Sequence, residues 1–247
     1  MRLSKSWIIA AKDFKTFRKK KNIVYALMIV PLIIAILLPA VLEFRGNKNA
    51  GSILPAELVV LLPAFLFFYV ILAAYLPTPI ASYTIVGEKM EKSLEPLLAT
   101  PTTDSEILLG KGISAFLPPL GAVWGGSVVF MVLMDLVTHS KLGYYYFPDV
   151  NTAVVLLLLA PFAALLSVQV NVIVSSRVND VRSGQQLGVV TVLPFAGVYV
   201  SGELGIVNLG TTSNLLIIAG AVLVIDVLLF FVARATFRRE EILTKWK

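Results

Sequence analysis

Residues that could do covalent chemistry are scarce in this 247-residue chain. It has no cysteine and one histidine, His139, so disulfides, thiolate nucleophiles and cysteine-ligated metals are excluded. His139 falls in what the span count below makes a short outer loop, where a lone histidine reads as an ordinary surface residue. No glycine-rich loop followed by Lys-Ser or Lys-Thr is present to cradle nucleotide phosphates. Hydrolysis needs a nucleophile with a positioned base, or a metal cluster, and no apolar run holds such a set. What stands out instead is Asp226, the one acid well inside an apolar run. An ionised carboxylate in hydrocarbon is expensive, so Asp226 is expected to face a bundle interior, a wet cavity or a partner. It reads either as part of a pathway or gate or as a satisfied structural acid. Gln169 and Asn171, near the end of another run, are secondary candidates for such a pathway.

Elsewhere the polar residues are arranged for contact. Residues 82–112 read SYTIVGEKMEKSLEPLLATPTTDSEILLGKG. Ser93 can cap a helix from Leu94, Pro96 fits its first turn and Pro101 stops it, which leaves about two turns presenting Leu94, Leu97 and Leu98. Glu88, Lys89, Glu91, Lys92 and Glu95 alternate in sign around those leucines. They form either a solvated loop or the polar rim of a protein interface with the leucines at its centre. Thr103-Asp104-Ser105-Glu106 then fits a capping box that starts the next helix. A second short turn holds Arg177, Asp180 and Arg182, followed by Gln185 and Gln186; it is either a second contact point or a plain closure. Near the start, Leu3, Trp7, Ala10, Phe14 and Phe17 recur at helical spacing, with Lys5, Lys12, Lys15 and Lys19 on other faces. The expectation over 3–21 is an amphipathic helix in the membrane interface, either a basic anchor or an elbow that meets a partner.

The elements that must position these pieces are membrane spans. Hydrophobic residues make up 57% of the chain and charged residues 15%, against roughly 25% charged in soluble domains. The apolar residues gather in blocks of about 20, the length at which an α-helix crosses a ~30 Å hydrocarbon core. The fold class expected is all-α and polytopic, a single transmembrane domain over 1–247. Six spans are read, at 23–42, 58–80, 112–134, 152–174, 187–199 and 213–233. The first block follows eight Lys or Arg in Met1 to Asn22 and is too long for a cleavable signal, so it reads as a retained helix. Gly184, Gly188 and Gly197 interrupt the fifth span, and Val200 to Asn208 is a candidate re-entrant segment. Prolines at 31, 39, 63, 77, 79, 118, 119, 161 and 194 are expected to kink or break helices. Gly121-Ala122-Val123-Trp124-Gly125 offers a small-residue face for packing inside the bundle or against a second copy.

Charge sets the orientation. With both termini cytosolic, 18 Lys or Arg fall inside and three outside, as the positive-inside rule requires of a multi-pass protein of the cytoplasmic membrane. The formal net charge of +6 is thereby assigned to anionic inner-leaflet lipid and not to nucleic acid.

In this order, the cytosolic pieces resemble the permease subunits of type-2 ABC exporters. Gly87 through Pro101, followed by Glu106-Ile107-Leu108-Leu109-Gly110-Lys111, looks like that family's inner loop and coupling helix. Ser176 to Arg182 with Gln185-Gln186-Leu187-Gly188 is similar to its second inner turn, and Phe14 to Lys21 to its basic elbow. The resemblance implies that Leu94, Glu95, Leu97 and Leu98 enter a groove on a separate ATP-binding cassette subunit, with Glu88 and Glu91 bordering it. It implies further contacts at Arg177, Asp180 and Arg182 and an elbow carrying Trp7, Phe14 and Phe17. A second permease subunit, identical or not, completes the expected assembly. This chain would bind no cofactor, the ATP and magnesium belonging to the partner. Three other classes stay open: an ATP-independent transporter or channel, for which clustered midplane charges or an inverted repeat would speak, a membrane-embedded enzyme, and a non-transporting scaffold.

Overall fold

The computed structural model describes residues 3–48, 55–87, 102–178 and 180–236. The described part is helical: α1 (Leu3–Lys19), α2 (Lys21–Lys48), α3 (Pro55–Tyr75), α4 (Pro77–Ser82), α5 (Asp104–Leu142), α6 (Val150–Val154), α7 (Ala160–Arg177), α8 (Val181–Gly188), α9 (Val192–Glu203) and α10 (Thr212–Thr236). Among the described residues five stretches are long and apolar enough to cross a membrane: Val24–Phe44, Glu57–Ser82, Ser105–Leu142, Val150–Arg177 and Thr212–Ala233. They cover five of the six expected spans, and the chain is a multi-pass membrane protein. The remaining one, 187–199, is helical in three pieces, α8, a 3-10 turn Val189–Thr191 and α9, none of which reaches spanning length alone. The third span is longer than expected, because the capped helix before it is continuous with it through Pro118 and Pro119.

The prolines divide into two groups. Pro31, Pro39, Pro63, Pro118 and Pro119 lie inside helices. The others follow irregularities that absorb the lost hydrogen bond and the clash with the preceding turn: Leu76 breaks the helix before Pro77, a π-turn Val155–Leu159 precedes Pro161, and the 3-10 turn precedes Pro194. At the π-turn the accounting can be followed atom by atom. The Ala160 N–H reaches back five residues to the Val155 carbonyl. By the same pattern the Leu156 carbonyl would accept from residue 161, which is proline and has no N–H. The Trp124 indole N–H takes that place, donating to Leu156 O at 2.8 Å and tying α5 to α7.

Packing is layered around α3 and the α6–α7 stretch, most of whose surface is buried, while α2 and α10 stand at the rim. Ala73, Ala74, Ala160, Ala163 and Ala164 are buried, and α3 lies directly on α7; small side chains let membrane helices approach closely. The Tyr69 hydroxyl, fully buried, lies 3.4 Å from Pro31 O and 3.2 Å from Gly126 O and so joins α3 to both α2 and α5. A Cβ on Gly126 would stand 2.5 Å from Pro31, whereas Gly121 and Gly125 are exposed and meet nothing. The packing glycine is therefore Gly126, and the face expected for internal packing points outward. Rim residues such as Ile33, Ile36, Ile217 and Leu228 are exposed apolar side chains, as lipid contact requires.

At the end of the bundle away from α1, Asp135 is buried and accepts from the backbone N–H groups of Tyr146 and Phe147 at 3.0 and 3.1 Å. His139 is exposed and stacks on Tyr145, ring centroids 4.6 Å apart. The candidate re-entrant stretch is the last turn of α9 and a tight turn with Gly205 at φ 73. Asn151 secures the following turn, donating to Gly210 O at 2.9 Å and accepting from the Thr212 hydroxyl at 2.6 Å.

Trp124→Phe keeps an aromatic ring, though a smaller one, and removes the N–H donor to Leu156 O. An unsatisfied backbone carbonyl costs about 1–3 kcal/mol, so the thermal unfolding midpoint of the purified protein in lipid discs is expected to fall. An unchanged midpoint would mean that another donor serves this carbonyl.

Candidate functional site

The expected contact residues Glu88, Glu91, Leu94, Glu95, Leu97 and Leu98, with the Ser93 cap and the Pro101 stop, lie outside the described residues. The segments flanking that loop on both sides are described, and both meet α1.

Helix α1 packs on α5 through Ser6, Ile9, Ala10, Asp13 and Phe17, all buried. The approach is close at Gly110, where an added Cβ would sit 2.7 Å from Ser6 O and 2.8 Å from Ile9 Cβ. Asp13 faces Ser114, whose Oγ lies 3.0 Å from Asp13 Oδ2 and 2.8 Å from the Lys111 carbonyl, one proton serving the two acceptors in turn. The Lys111 side chain, 1% exposed, donates from Nζ to the Thr84 carbonyl at 2.6 Å. Thr84 belongs to the π-turn Tyr83–Gly87, the last described residues before the loop. Tyr83 is held from its other side by Phe17, ring centroids 6.5 Å apart, and by Lys20, whose Nζ lies 3.3 Å from the ring centroid. A cation over an aromatic face contributes about 0.5–2 kcal/mol depending on exposure.

The other end of the loop is fixed by the expected capping box. The Thr103 hydroxyl accepts from the Glu106 N–H at 3.3 Å, and the buried Glu106 carboxylate accepts from the Thr103 N–H at 3.1 Å. Loop entry and exit are thus anchored within one cluster built from α1, the π-turn and the first turns of α5.

The apolar face of α1 is only partly turned to the bundle. Of the expected face, Ala10 and Phe17 are buried, Phe14 is half-buried, and Trp7 is 55% exposed and packs edge-on against Phe14 at 6.3 Å. Apolar periodicity omitted Ser6 and Asp13, which take part in the packing and turn the helix away from its most apolar stripe. Asp13, Ser114, Lys111 and Gly110 were not read as a site from the sequence. A signal existed: Asp13 is the only acid among the eight cations of Met1 to Asn22.

In the second turn Arg177 ends α7 and is exposed, as is Arg182. Asp180 caps α8, its Oδ2 accepting from the Ser183 N–H at 3.0 Å and from the Ser183 hydroxyl at 3.2 Å. The Ser183 backbone N–H is the main cause that holds the Asp180 carboxyl below the usual carboxylate range. Asp180 therefore shapes the turn, and the two arginines are its outward charges.

The three residues read as pathway candidates differ in their surroundings. Asn171 is buried and occupied: its Nδ2 donates to Ser167 O at 2.8 Å and to Thr78 Oγ1 at 3.2 Å, and its Oδ1 accepts from Ser82 Oγ at 3.1 Å. A Cβ on Gly188 would run into the Asn171 carboxamide, so Asn171 locks α4, α7 and α8 together. Gln169 is 8% exposed and lines a cavity of about 510 Å³ together with Leu108, Phe116, Val172, Phe230 and Ala233. Its Oε1 is buried without a hydrogen-bond partner among the described residues. Asp226 is 2% exposed on α10, and neither carboxyl oxygen has a partner among the described residues. Among the described residues no three His, Asp or Glu side chains gather as a metal site would need.

The sequence profile of a family described as ABC-2 family transporter protein matches residues 7–215. No curated protein matches the chain.

Gly110→Ala sets a methyl against the α1 backbone, and overpacking of this kind costs about 1–3 kcal/mol. Gly121→Ala enters open space and gains up to about 1 kcal/mol of helix propensity. Thermal unfolding in lipid discs is expected to move down for the first and to stay or rise for the second. Equal shifts would show that the α1–α5 approach is looser than described.

Proposed function

The chain belongs to the ABC-2 family of transporter proteins, and from that premise we propose that it is the membrane permease subunit of an ATP-driven exporter. A separate ATP-binding cassette subunit carries the ATP and magnesium, and a second permease subunit, identical or different, completes the pathway. Both termini are cytosolic in the cytoplasmic membrane. This orientation needs an even number of spans, so 187–199 crosses as the sixth within the helical run 181–203. Five crossings would strand the basic residues after Ala233 on the outer side.

The observation that carries the reading is the anchoring of both ends of the 88–101 loop to α1 and α5 through Lys111, Tyr83 and the Thr103–Glu106 box. A loop fixed at both ends passes on displacement, where a loose one absorbs it. In this mechanism the Leu94, Leu97 and Leu98 knob sits in the ATP-binding subunit with Glu88, Glu91 and Glu95 at its rim. Closure of that subunit on ATP moves the π-turn and the start of α5 together. The motion reaches α4 and α7 through the Asn171 network, a two-state element that couples two distant sites. Asp226 and Gln169 serve the pathway, and Arg177 and Arg182 form a second contact with the partner.

The test is an affinity pull-down of tagged protein in mild detergent, with ATPase assay of the eluate. An ATP-binding protein is expected with wild type and not with Leu97→Arg. Lys111→Met is expected to retain the partner while substrate-stimulated ATPase falls about fivefold or more, the size of a 1–3 kcal/mol coupling energy. If no nucleotide-binding protein associates while the oligomer persists, the ABC reading fails, and an ion-driven transporter using Asp226 replaces it.

A further inference from the structure

Two helical runs are interrupted at the same depth. The α3–α4 run changes at Leu76, just before Pro77 and Pro79, and the α8–α9 run at the 3-10 turn Val189–Thr191, just before Pro194. The levels follow from contacts between the two runs and α7. Thr191 Oγ1 lies 3.4 Å from Ala74 O. Gly188 and Thr78 both meet the Asn171 carboxamide, and a Cβ on Gly184 would stand 3.4 Å from Ser82 Cβ. Residues 74, 78 and 82 therefore face 191, 188 and 184, which sets the two interruptions side by side. The buried Thr191 hydroxyl bridges them, donating to Gly188 O at 2.8 Å and reaching Ala74 O.

The contacts differ in kind on the two sides of this level. Toward α1, Asn171 joins α7 to α4 through Ser82 and Thr78, at 3.1 and 3.2 Å, and meets α8 at Gly188. Away from α1, α3 meets α9 with Phe68 edge-on to Tyr199 at 5.7 Å. It meets α7 where Ala73, Ala74, Ala160, Ala163 and Ala164 are buried, side chains too short to interlock. Hydrogen bonds fix both position and rotation, whereas apolar contact leaves them adjustable. The interruptions are also where bending breaks least. Pro77, Pro79 and Pro194 have no N–H to give the carbonyls of Ala73, Tyr75 and Val190, so no helical bond of that kind is there to lose. Mid-helix 3-10 and π segments commonly mark hinges for this reason, and α7 has such a segment of its own before it, the π-turn Val155–Leu159.

We infer that α4, α7 and α8 move as one body, hinged at Leu76, at Val155–Leu159 and at Val189–Thr191, with the Thr191 hydroxyl pinning the α3 and α9 sides together. Both candidate contact segments leave from this body: α4 runs into the π-turn Tyr83–Gly87 ahead of the 88–101 loop, and the second turn joins α7 to α8. A partner pressing on either segment tilts the same body against α3 and α9. That role in coupling rests on the exporter reading; the division of the bundle does not.

The chain has no cysteine, so introduced ones report without background. Nitroxide labels at the exposed positions Gln186→Cys on α8 and Val60→Cys on α3 span the hinges, whereas labels at Val60→Cys and Val200→Cys on α9 lie on one side of them. Double electron–electron resonance on the purified chain in lipid discs is expected to give a broader distance distribution for the first pair. Thr191→Val, similar in shape but without the hydroxyl, is expected to broaden the first pair further and leave the second unchanged. In the complex, trapping with ATP and vanadate is expected to shift the first pair by more than about 2 Å, the scale of a domain rearrangement, and not the second. Within the body, Ser82→Cys with Gly184→Cys is expected to form a disulfide in equal yield with and without trapping, the sites lying near the ~3.5–4.5 Å Cβ spacing a disulfide needs. Equal widths for the two pairs, unchanged by Thr191→Val, would overturn the proposal, as would a disulfide that fails to form or forms less on trapping. A first pair that is broad but unmoved by trapping would overturn the role in coupling. If no ATPase co-purifies while the widths differ as stated, the exporter reading falls alone; an active complex with equal widths removes the hinged body alone.

Discussion

Inside a bilayer a backbone carbonyl or a charged side chain has no water to turn to, and every irregularity in a helix must be repaired by another part of the protein. Much of this structure follows from that constraint. Pro161 would leave the Leu156 carbonyl bare, so Trp124 has to come from α5 to meet it. Loop segments at the end away from α1 are closed by Asp135, Asn151 and Thr212. The same requirement brings helices together in specific pairs, because a donor on one helix and a bare acceptor on another fix both position and rotation. Apolar packing, which lipid matches nearly as well as a neighbouring helix does, fixes neither.

The constraint acts most strongly where charge is buried at the α1 end. Lys111 and Asp13 are enclosed near the loop that follows Gly87, and their contacts cross between elements, Lys111 to the Thr84 carbonyl on the π-turn and Asp13 to the Ser114 hydroxyl on α5. Losing one partner in such an arrangement is more expensive than the arrangement is stabilising, since the other is left buried. That asymmetry makes the cluster behave as a unit. The π-turn, α1 and the start of α5 move jointly or not at all, which is the mechanical property needed beside a loop that receives force.

The spans were legible in the sequence because length is a one-dimensional property: a run of about 20 apolar residues needs no knowledge of neighbours. The Thr103–Glu106 box was legible for the same reason, its partners being three residues apart. What was not legible depends on rotation about helix axes. Periodicity put Trp7, Ala10, Phe14 and Phe17 on one face of α1, but which face meets the bundle is set by Gly110 admitting the Ser6 backbone and by the Asp13–Ser114 contact, which joins residues 101 apart. Gly121 and Gly125 had the right spacing and the wrong direction, while Gly126, one residue on, meets Pro31. The fifth expected span was obscured by its own chemistry, since Gly188 is small to admit Asn171 and, with Gly184 and Gly197, interrupts the apolar signal.

Asn171 and Gln169 sit two residues apart on α7 and were indistinguishable as letters in a sequence. The structure separates them by hydrogen-bond satisfaction. Asn171 uses its donor and acceptor groups internally, against Ser167, Thr78 and Ser82. Gln169 leaves its buried acceptor without a donor among the described residues, and Asp226 leaves two. Leucine or asparagine at these positions would avoid much or all of the penalty, so retention of the bare acceptors needs a benefit realised in another state of the protein. Unsatisfied polarity is therefore the more informative signal in this bundle, and polar residues as such are not.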